Sequence, residues 1–516
     1  MVTRVSAKTA GKQAAQKVAK SVQKNVARAV SGTLGLSGER MSKVDTAWLR
    51  MDSDANLMMI VGVWQLAPGV KHAAVCERIE NSLLKYDRFK QRVMEDAAGA
   101  TWVFDRNFDL ANHVVVEKLP KPASGNQQEA LQDRVAALAT QRLDPKRPLW
   151  QIHLVEDYTG PDGVKGSAMI VRIHHCIADG IALISVTMSL VDGGAPPPER
   201  RKKTATATGA EDWITDTLLK PFTDITVKAL GAVGEGAARS LGMLGDPKKG
   251  MEKGVSGSMD MAKVLFQVLS DTAAMALMPD DSKTRLKGKP GGAKKVAWCQ
   301  PIPLDEVKAV GKALNCSIND VLLSCVAGAL GEYLKSHGDD VTGQEIRAMV
   351  PVNLRPMEQA YKLGNRFGLV PLVLPIGVEN PIERVYEVRR RMAALKGSYQ
   401  PLLAFSLLAV AGLLIKPAQD VMLNLFARKT TAVMTNVPGP REKLKFCGST
   451  LEQSMFWVPQ SGDVGLGVSI LSYGGGVQFG VITDSTLCPD PQRIIDEFVP
   501  EFAKLSIVTL MLPWGE

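Results

Sequence analysis

Short apolar runs alternate along the chain with longer stretches whose apolar residues recur every three or four positions. LMMIVGVWQL (57–66) predicts a strand, and AAVCERIENSLLKY (73–86) has the spacing of an amphipathic helix. QQEALQDRVAALATQRL (127–143) predicts another helix, whereas LWQIHLVED (149–157) and SAMIVRIHH (167–175) predict strands. The pattern breaks at DGGAPPPERRKKTATATGA (192–210), which has no period and reads as a linker. Helical patterning follows over about 211–278, then a basic loop, PDDSKTRLKGKPGGAKKV (279–296). From about residue 297 the strand and helix alternation resumes and runs to the end. These breaks divide the chain into an extension (1–38), a first lobe (39–191), a linker with a helical crossover (192–296) and a second lobe (297–516). Two mixed α/β lobes joined by a long crossover is the simplest architecture, and 516 residues exceed one ordinary core.

Composition narrows the class. Hydrophobic residues at 45% and charged residues at 22% describe a globular chain. The seven cysteines are scattered, with no CxxC and no Cys/His ligand spacing, which predicts neither a disulfide framework nor a zinc site. That usage suits a reducing cytoplasm. The longest apolar run, LLAFSLLAVAGLLI (402–415), spans fourteen residues, short of the roughly 20 that cross a bilayer. It reads as a buried core helix, or alternatively as an interfacial helix facing lipid.

The net charge of +9 is unevenly placed. Residues 1–38 hold Arg4, Lys8, Lys12, Lys17, Lys20, Lys24 and Arg28 and no acid, leaving only +2 for the remainder. The basic character belongs to an appendage, which argues against nucleic acid as a partner. Within it Lys8, Lys12, Lys20, Lys24 and Arg28 fall on one four-residue register and Val18, Val22, Val26 and Val30 on another, two positions away. On a helix the two stripes lie on opposite faces, so the tail could rest on an anionic membrane or lipid inclusion. A solvated tail and a transit peptide are the other readings.

The chemistry concentrates in IHHCIADG (173–180). Alternation puts His175 on the face of Met169, Val171 and Ile173, and His174 with Arg172 and Ile170, so the two rings diverge. An imidazole titrating near pH 6.5 is suited to taking a proton at neutral pH. Gly180 and the apolar run IALISVTMSL mark the start of a helix at once. A metal held by the two histidines and Asp179, and a Cys176 nucleophile, are rival readings. Divergent neighbouring side chains count against both, and the lack of a third ligand at helical spacing counts further against the metal.

HHCIADG matches HHxxxDG and resembles the signature of the coenzyme A-dependent acyltransferase superfamily. MSKVDTAWLRMD (41–52), FDLANHV (108–114), LDPKRPLWQIHLVED (143–157), SINDVLLSCVAGAL (317–330), AMVPVNLRP (348–356), GNRFG (364–368), TNVPGP (435–440) and LSYGGGVQFGVITD (471–484) follow in order. That set is similar to the bacterial wax ester synthase/acyl-CoA:diacylglycerol acyltransferases over about residues 41–510. The resemblance implies two chloramphenicol acetyltransferase-like lobes with an active-site tunnel between them. It implies transfer of a long-chain acyl group from acyl-CoA, a substrate and not a cofactor, to a fatty alcohol or diacylglycerol. No metal or organic cofactor is expected, and the protein would be cytoplasmic, peripherally attached to the inner membrane or lipid inclusions. A non-enzymatic lipid-binding protein on the same fold is the alternative.

In that scheme His175 is the general base, His174 a positioning group, and Asp179 a structural carboxylate fixing the turn and pairing with Arg355 or Arg172. Gly180 would let the backbone pass close to substrate. Asn319, with Asp320 beside it in the Asn-Asp motif, and Asn436 are the candidates for holding the oxyanion; their alternative role is turn formation. Trp150 reads as a packing anchor. Coenzyme A carries a 3′-phosphate and a pyrophosphate, and the densest cationic cluster outside the tail is Arg285, Lys287, Lys289, Lys294 and Lys295. A flexible loop of lysines could follow those phosphates, or could be a plain connector.

Overall fold

The computed structural model describes residues 38–96, 99–120, 127–194, 279–355, 362–396 and 427–511. The basic tail, the 211–278 segment and the 402–415 run lie outside the described residues. The first half supplies strands β1 (Glu39–Arg40), β2 (Met59–Ala67), β3 (Gln91–Asp96), β4 (Gly99–Phe104), β5 (Val114–Glu117), β6 (Trp150–Thr159) and β7 (Lys165–His174). Its helices are α1 (Lys43–Arg50), α2 (His72–Asn81), α3 (Gln127–Ala139) and α4 (Gly180–Leu190). The second half begins with β8 (Lys294–Trp298), β9 (Ile302–Pro303), α5 (Leu304–Ala313) and α6 (Ile318–Ser336). It continues through β10 (Ile346–Asn353), β11 (Phe367–Leu374), α7 (Pro381–Lys396), β12 (Ala432–Pro438) and β13 (Lys445–Phe446). The chain ends in β14 (Ser449–Trp457), β15 (Leu466–Tyr473), β16 (Gly476–Asp484) and α8 (Gln492–Met511).

These strands build two large sheets and a small one. The first runs β13-β14-β2-β7-β6-β5, the second β11-β10-β12-β15-β16-β8 with β9 also on β16, and the third β1-β4-β3. The division into sequential lobes therefore needs correction. β13 and β14 come from the second half but pair into the first sheet, with Thr450 opposite Ala67 and Trp457 opposite Val61. β8 starts at Lys294, so the strand predicted to follow the basic loop takes in its last residues.

Period-two alternation on β7 gives the first sheet two different faces. Ala168 and Ile170 face Leu131, Val135 and Leu138 of α3, where Trp298, Trp457 and Ile482 of the second half also pack. Met169 faces the opposite way, with Val75 and Ile79 of α2 and Ala182 and Val186 of α4. Each fully buried side chain of this size contributes about 1.5–3 kcal/mol, so the shared core is a strong tie between the halves. The helix predicted over 73–86 ends at Asn81 and passes into two short 3-10 turns, and that over 127–143 ends at Ala139.

In the second half α6 is apolar nearly all round, with Val321 to Leu330 buried without a break, and packs against α7 and α8. A helix apolar on every side belongs inside a core. Among the described residues no single helix is long and apolar enough to cross a membrane.

Candidate active site

β7 ends at His174, held by its backbone N–H to the Leu149 carbonyl at 2.9 Å, and His175 donates its own to Met58 at 2.7 Å. The chain then turns and α4 begins at Gly180. Asp179 is the N-cap: one carboxylate oxygen accepts the Ala182 N–H at 2.9 Å, meeting a donor the helix leaves unsatisfied. Its other oxygen accepts from Arg355 Nη2 at 2.8 Å and from the Arg366 N–H at 2.8 Å. Between these, the Asp179 N–H reaches the Gly364 carbonyl, and the Gly364 N–H reaches the Ile177 carbonyl at 3.0 Å. A strip of the second half, Gly364 to Arg366, is thus laced along the turn of the first. Gly364 adopts φ +101°, and a side chain there would meet the Asp45 carboxylate at 3.3 Å, so the strip requires glycine.

The two histidines enter different surroundings. His175 is 3% exposed, its ring stacked on Trp48 at 4.3 Å between centroids with Phe367 at 5.4 Å. Burial pushes its pKa down to about 4, so the imidazole is neutral at physiological pH. Its carbonyl accepts from Asn365 Nδ2 at 2.7 Å, and the same amide nitrogen donates to Asp45 Oδ1 at 2.8 Å. His174 instead places Nε2 3.4 Å from Asp52 Oδ1, while its Nδ1 accepts the Cys176 N–H at 3.1 Å. With Nδ1 engaged as an acceptor, the proton of the ring sits on Nε2, toward Asp52.

An apolar cavity of about 170 Å³ opens beside this turn. Met169, Val171 and Ile173 of β7 line it, together with Gly180 and Leu183 of α4 and Leu471 and Tyr473 of β15. It lies on the β7 face that alternation assigns to His175, and both halves contribute to it.

Residues 41–322 match the wax ester synthase/diacylglycerol acyltransferase catalytic domain, and residues 363–506 match the C-terminal domain of the same family. The chain belongs to the wax ester synthase/diacylglycerol acyltransferase family. A probable diacylglycerol O-acyltransferase of Mycobacterium tuberculosis is 25% identical, over 91% of this chain and 96% of that protein. Wax ester synthase/diacylglycerol acyltransferase 11 of Arabidopsis thaliana is also 25% identical, over 89% and 93%. Among solved structures, the wax ester synthase/diacylglycerol acyltransferase of Marinobacter aquaeolei VT8 superposes with a TM-score of 0.59 at 21% identity, over 91% of this chain and 99% of that one. A condensation domain of the calcium-dependent antibiotic synthetase gives 0.55 at 14% identity, over 91% and 96%. The two-lobed mixed α/β fold is shared with both. Membership makes this chain an acyltransferase and disfavours the non-enzymatic reading.

The surroundings of the other sequence candidates are as follows. Asp179 pairs with Arg355; the alternative partner, Arg172, donates to Gln151 at 2.9 Å and to the Gln141 carbonyl. Trp150 is a packing anchor, its indole N–H on the Phe89 carbonyl at 2.8 Å. A side chain at Gly180 would meet no protein atom within 4 Å, so the glycine leaves open space at the cavity wall. Asp320 is buried in a capping box with Ser317 at the start of α6 and is occupied there. Asn319 and Asn436 touch each other, Asn436 Nδ2 donating to Asn319 Oδ1 at 3.1 Å.

Four members of the cationic cluster are engaged with the protein itself. Arg285 pairs with Asp339 at 2.6 Å, and Lys287 donates to the Ala427 and Thr430 carbonyls. Lys294, on β8 and buried, donates to Asn56 Oδ1 at 2.6 Å, and burial lowers its pKa to about 8. Lys295 pairs with Asp133 at 3.2 Å, and Lys289 is exposed. Asp45, Trp48, Asp52 and Asn365 surround the histidines, and in the sequence they lie inside the MSKVDTAWLRMD and GNRFG segments with no individual signal for a role. An acid and a tryptophan three apart on one face of a short helix, Asp45 and Trp48, were the available signal.

Proposed function

We propose that the protein transfers a long-chain acyl group from acyl-CoA to the hydroxyl of a fatty alcohol or diacylglycerol, with His175 as general base. The observation that carries this is the neutral, buried His175 imidazole, stacked on Trp48 at the end of a strand whose face lines an apolar cavity. A neutral imidazole takes the hydroxyl proton while the oxygen attacks the thioester carbonyl. The tetrahedral intermediate then collapses, the C–S bond breaks, and the imidazolium returns the proton to the leaving thiolate. No covalent acyl-enzyme forms, and the reading assigns no metal or organic cofactor. The cavity suits an acyl chain, since burial of each methylene is worth about 0.8 kcal/mol. Asn319 and Asn436 remain candidate oxyanion donors: an amide nitrogen carries two N–H groups, and their mutual contact uses one.

Lipid substrates favour peripheral attachment to the cytoplasmic membrane or to lipid inclusions, with the cationic 1–38 tail as the contact. The test of the reaction is purified protein with palmitoyl-CoA and either hexadecanol or dipalmitoylglycerol, following thiol release and product lipid. Acceptor-dependent thiol release with ester formed is expected. Thiol release without ester, or neither, overturns the reading.

A further inference from the structure

The apolar cavity has a direction. β7 runs toward the catalytic turn, α4 runs back from it, and the cavity lies between them. Met169 to Ile173 line one wall over about 13 Å of strand, and Gly180 to Leu190 line the other over about 15 Å of helix. The lengths agree, so Ile173 and Gly180 mark the reacting end, and Met169 and Leu190 the far end. Phe446 of β13 closes the far end: it is fully buried and meets Trp64, which sits opposite Met169, edge-on at 5.6 Å. What holds Phe446 in place is a single carboxylate. Cys447 and Gly448 form the two-residue turn into β14, with φ +52° and +81°. The left-handed region is unfavourable for a residue with a side chain, so the turn at Cys447 needs support. Asp192, two residues past α4, accepts the Cys447 N–H at 3.1 Å on one oxygen and the Gly448 N–H at 2.7 Å on the other. Its own N–H donates to the Lys445 carbonyl at 2.7 Å. Arg78 of α2 donates to Asp192 and to the Leu190 carbonyl, each at 2.6 Å, and its guanidinium lies over the Phe446 ring at 5.9 Å. The Arg78 and Asp192 side chains are 26% and 29% exposed, so water competes for the peg while Phe446 beneath it stays dry.

We propose that Phe446, pegged by Asp192 and Arg78, is the end-stop for the acyl chain and sets the longest chain the protein accepts. The cavity of about 170 Å³ is smaller than the roughly 300–1,000 Å³ of ordinary ligand sites. A long chain with its thioester at the catalytic turn therefore fills the cavity, and its methyl end bears on Phe446. The peg joins α2, the end of α4 and the β13–β14 hairpin, three elements that move apart only if Asp192 lets go. Asp192 is also the first residue of the stretch whose composition reads as a linker, so that stretch begins with an anchor. This deepens the proposed acyl transfer and rests on it for the identity of the occupant.

The experiment measures the affinity of full-length protein for octanoyl-, palmitoyl- and eicosanoyl-CoA by calorimetry, without acceptor and below their micellar concentrations. Wild-type affinity should rise from octanoyl to palmitoyl and gain nothing further at eicosanoyl. Phe446→Ala should raise the eicosanoyl-to-octanoyl affinity ratio by roughly 10-fold, as room for about two more methylenes would. Asp192→Asn keeps the shape of the side chain and should move the ratio the same way by about threefold, as loss of a part-exposed ion pair would. Reading a ratio removes any general loss of folded protein. If Phe446→Ala does not fold, Phe446→Leu and Asp192→Asn carry the same expectation. Equal ratios in wild type and variants overturn the end-stop. When ester formation is followed with alcohols of different length, a shift in the alcohol profile alone overturns the assignment of this cavity to the donor chain. A shifted affinity ratio with no ester formed from hexadecanol or dipalmitoylglycerol upholds the end-stop and sinks instead the proposed reaction.

Discussion

Arg355 Nη2 lies 2.8 Å from Asp179 Oδ2, and both side chains are almost fully buried. This ion pair joins the strip around Gly364 to the helix cap after His175, so one contact holds both the fold and the site. Breaking a buried pair by removing one partner leaves an uncompensated charge and costs about 3–5 kcal/mol. Asp179→Ala should therefore lose stability in urea unfolding as well as activity. The double variant Asp179→Leu, Arg355→Met should recover part of that stability but none of the activity. A fully stable Asp179→Ala protein without activity would place the carboxylate in the chemistry.

The two histidines should separate by mutation. His175→Ala should lower kcat by about 10²- to 10⁴-fold with unchanged circular dichroism, as loss of a general base does. His174→Ala should cost less, because it faces Asp52 and the Cys176 N–H and orders the strand end. Equal, near-complete losses in both would reject this division of roles.

Acid should act on His175 in a predictable direction. Its pKa is lowered in the folded protein to about 4, below the ordinary 6.5. The stability it contributes is then complete above about pH 6.5 and is lost as pH falls toward 4, where unfolding takes up a proton that the folded state refuses. Activity at low pH should decline only near the folded value. Urea unfolding between pH 6.5 and 4.5 should be less pH-dependent in His175→Gln than in the wild type.

Chain length should be readable from the cavity wall. Val171→Phe fills space beside Ile173 and Leu183. Excluding about four methylenes at about 0.8 kcal/mol each should shift the kcat/KM preference from palmitoyl-CoA to octanoyl-CoA by roughly 10²-fold. An unchanged preference would put the acyl chain elsewhere.

The cations before and within β8 should divide by burial. Lys289 and Lys295 are exposed, so replacing both with Ser should raise the KM for acyl-CoA and flatten its dependence on salt if they meet the phosphates. Lys294→Met should be read mainly in melting temperature, because its Nζ is buried against Asn56. An unaltered salt slope in the double Ser variant would leave the coenzyme phosphates to other groups.

Local pattern determined the elements and the chemistry of the turn. The period-two run ending at His175, the apolar stripe after Gly180 and the HHxxxDG spacing each depend on residues within a few positions of one another. They predicted β7, α4 and the divergence of the two rings, while the capping of α4 by Asp179 emerged only in the structure. What the sequence left open was long-range pairing. Asp45, Asn365 and His175 lie 320 and 190 positions apart along the chain, and no local period relates them. Only the docking of the two halves brings the Gly364 strip beside the turn, chooses Arg355 over Arg172, and moves β14 into the first sheet. The same docking sets Lys294 against Asn56 and Lys295 against Asp133. A charged side chain pairs with whatever carboxylate or carbonyl the tertiary structure sets within about 3 Å. Composition cannot encode that distance.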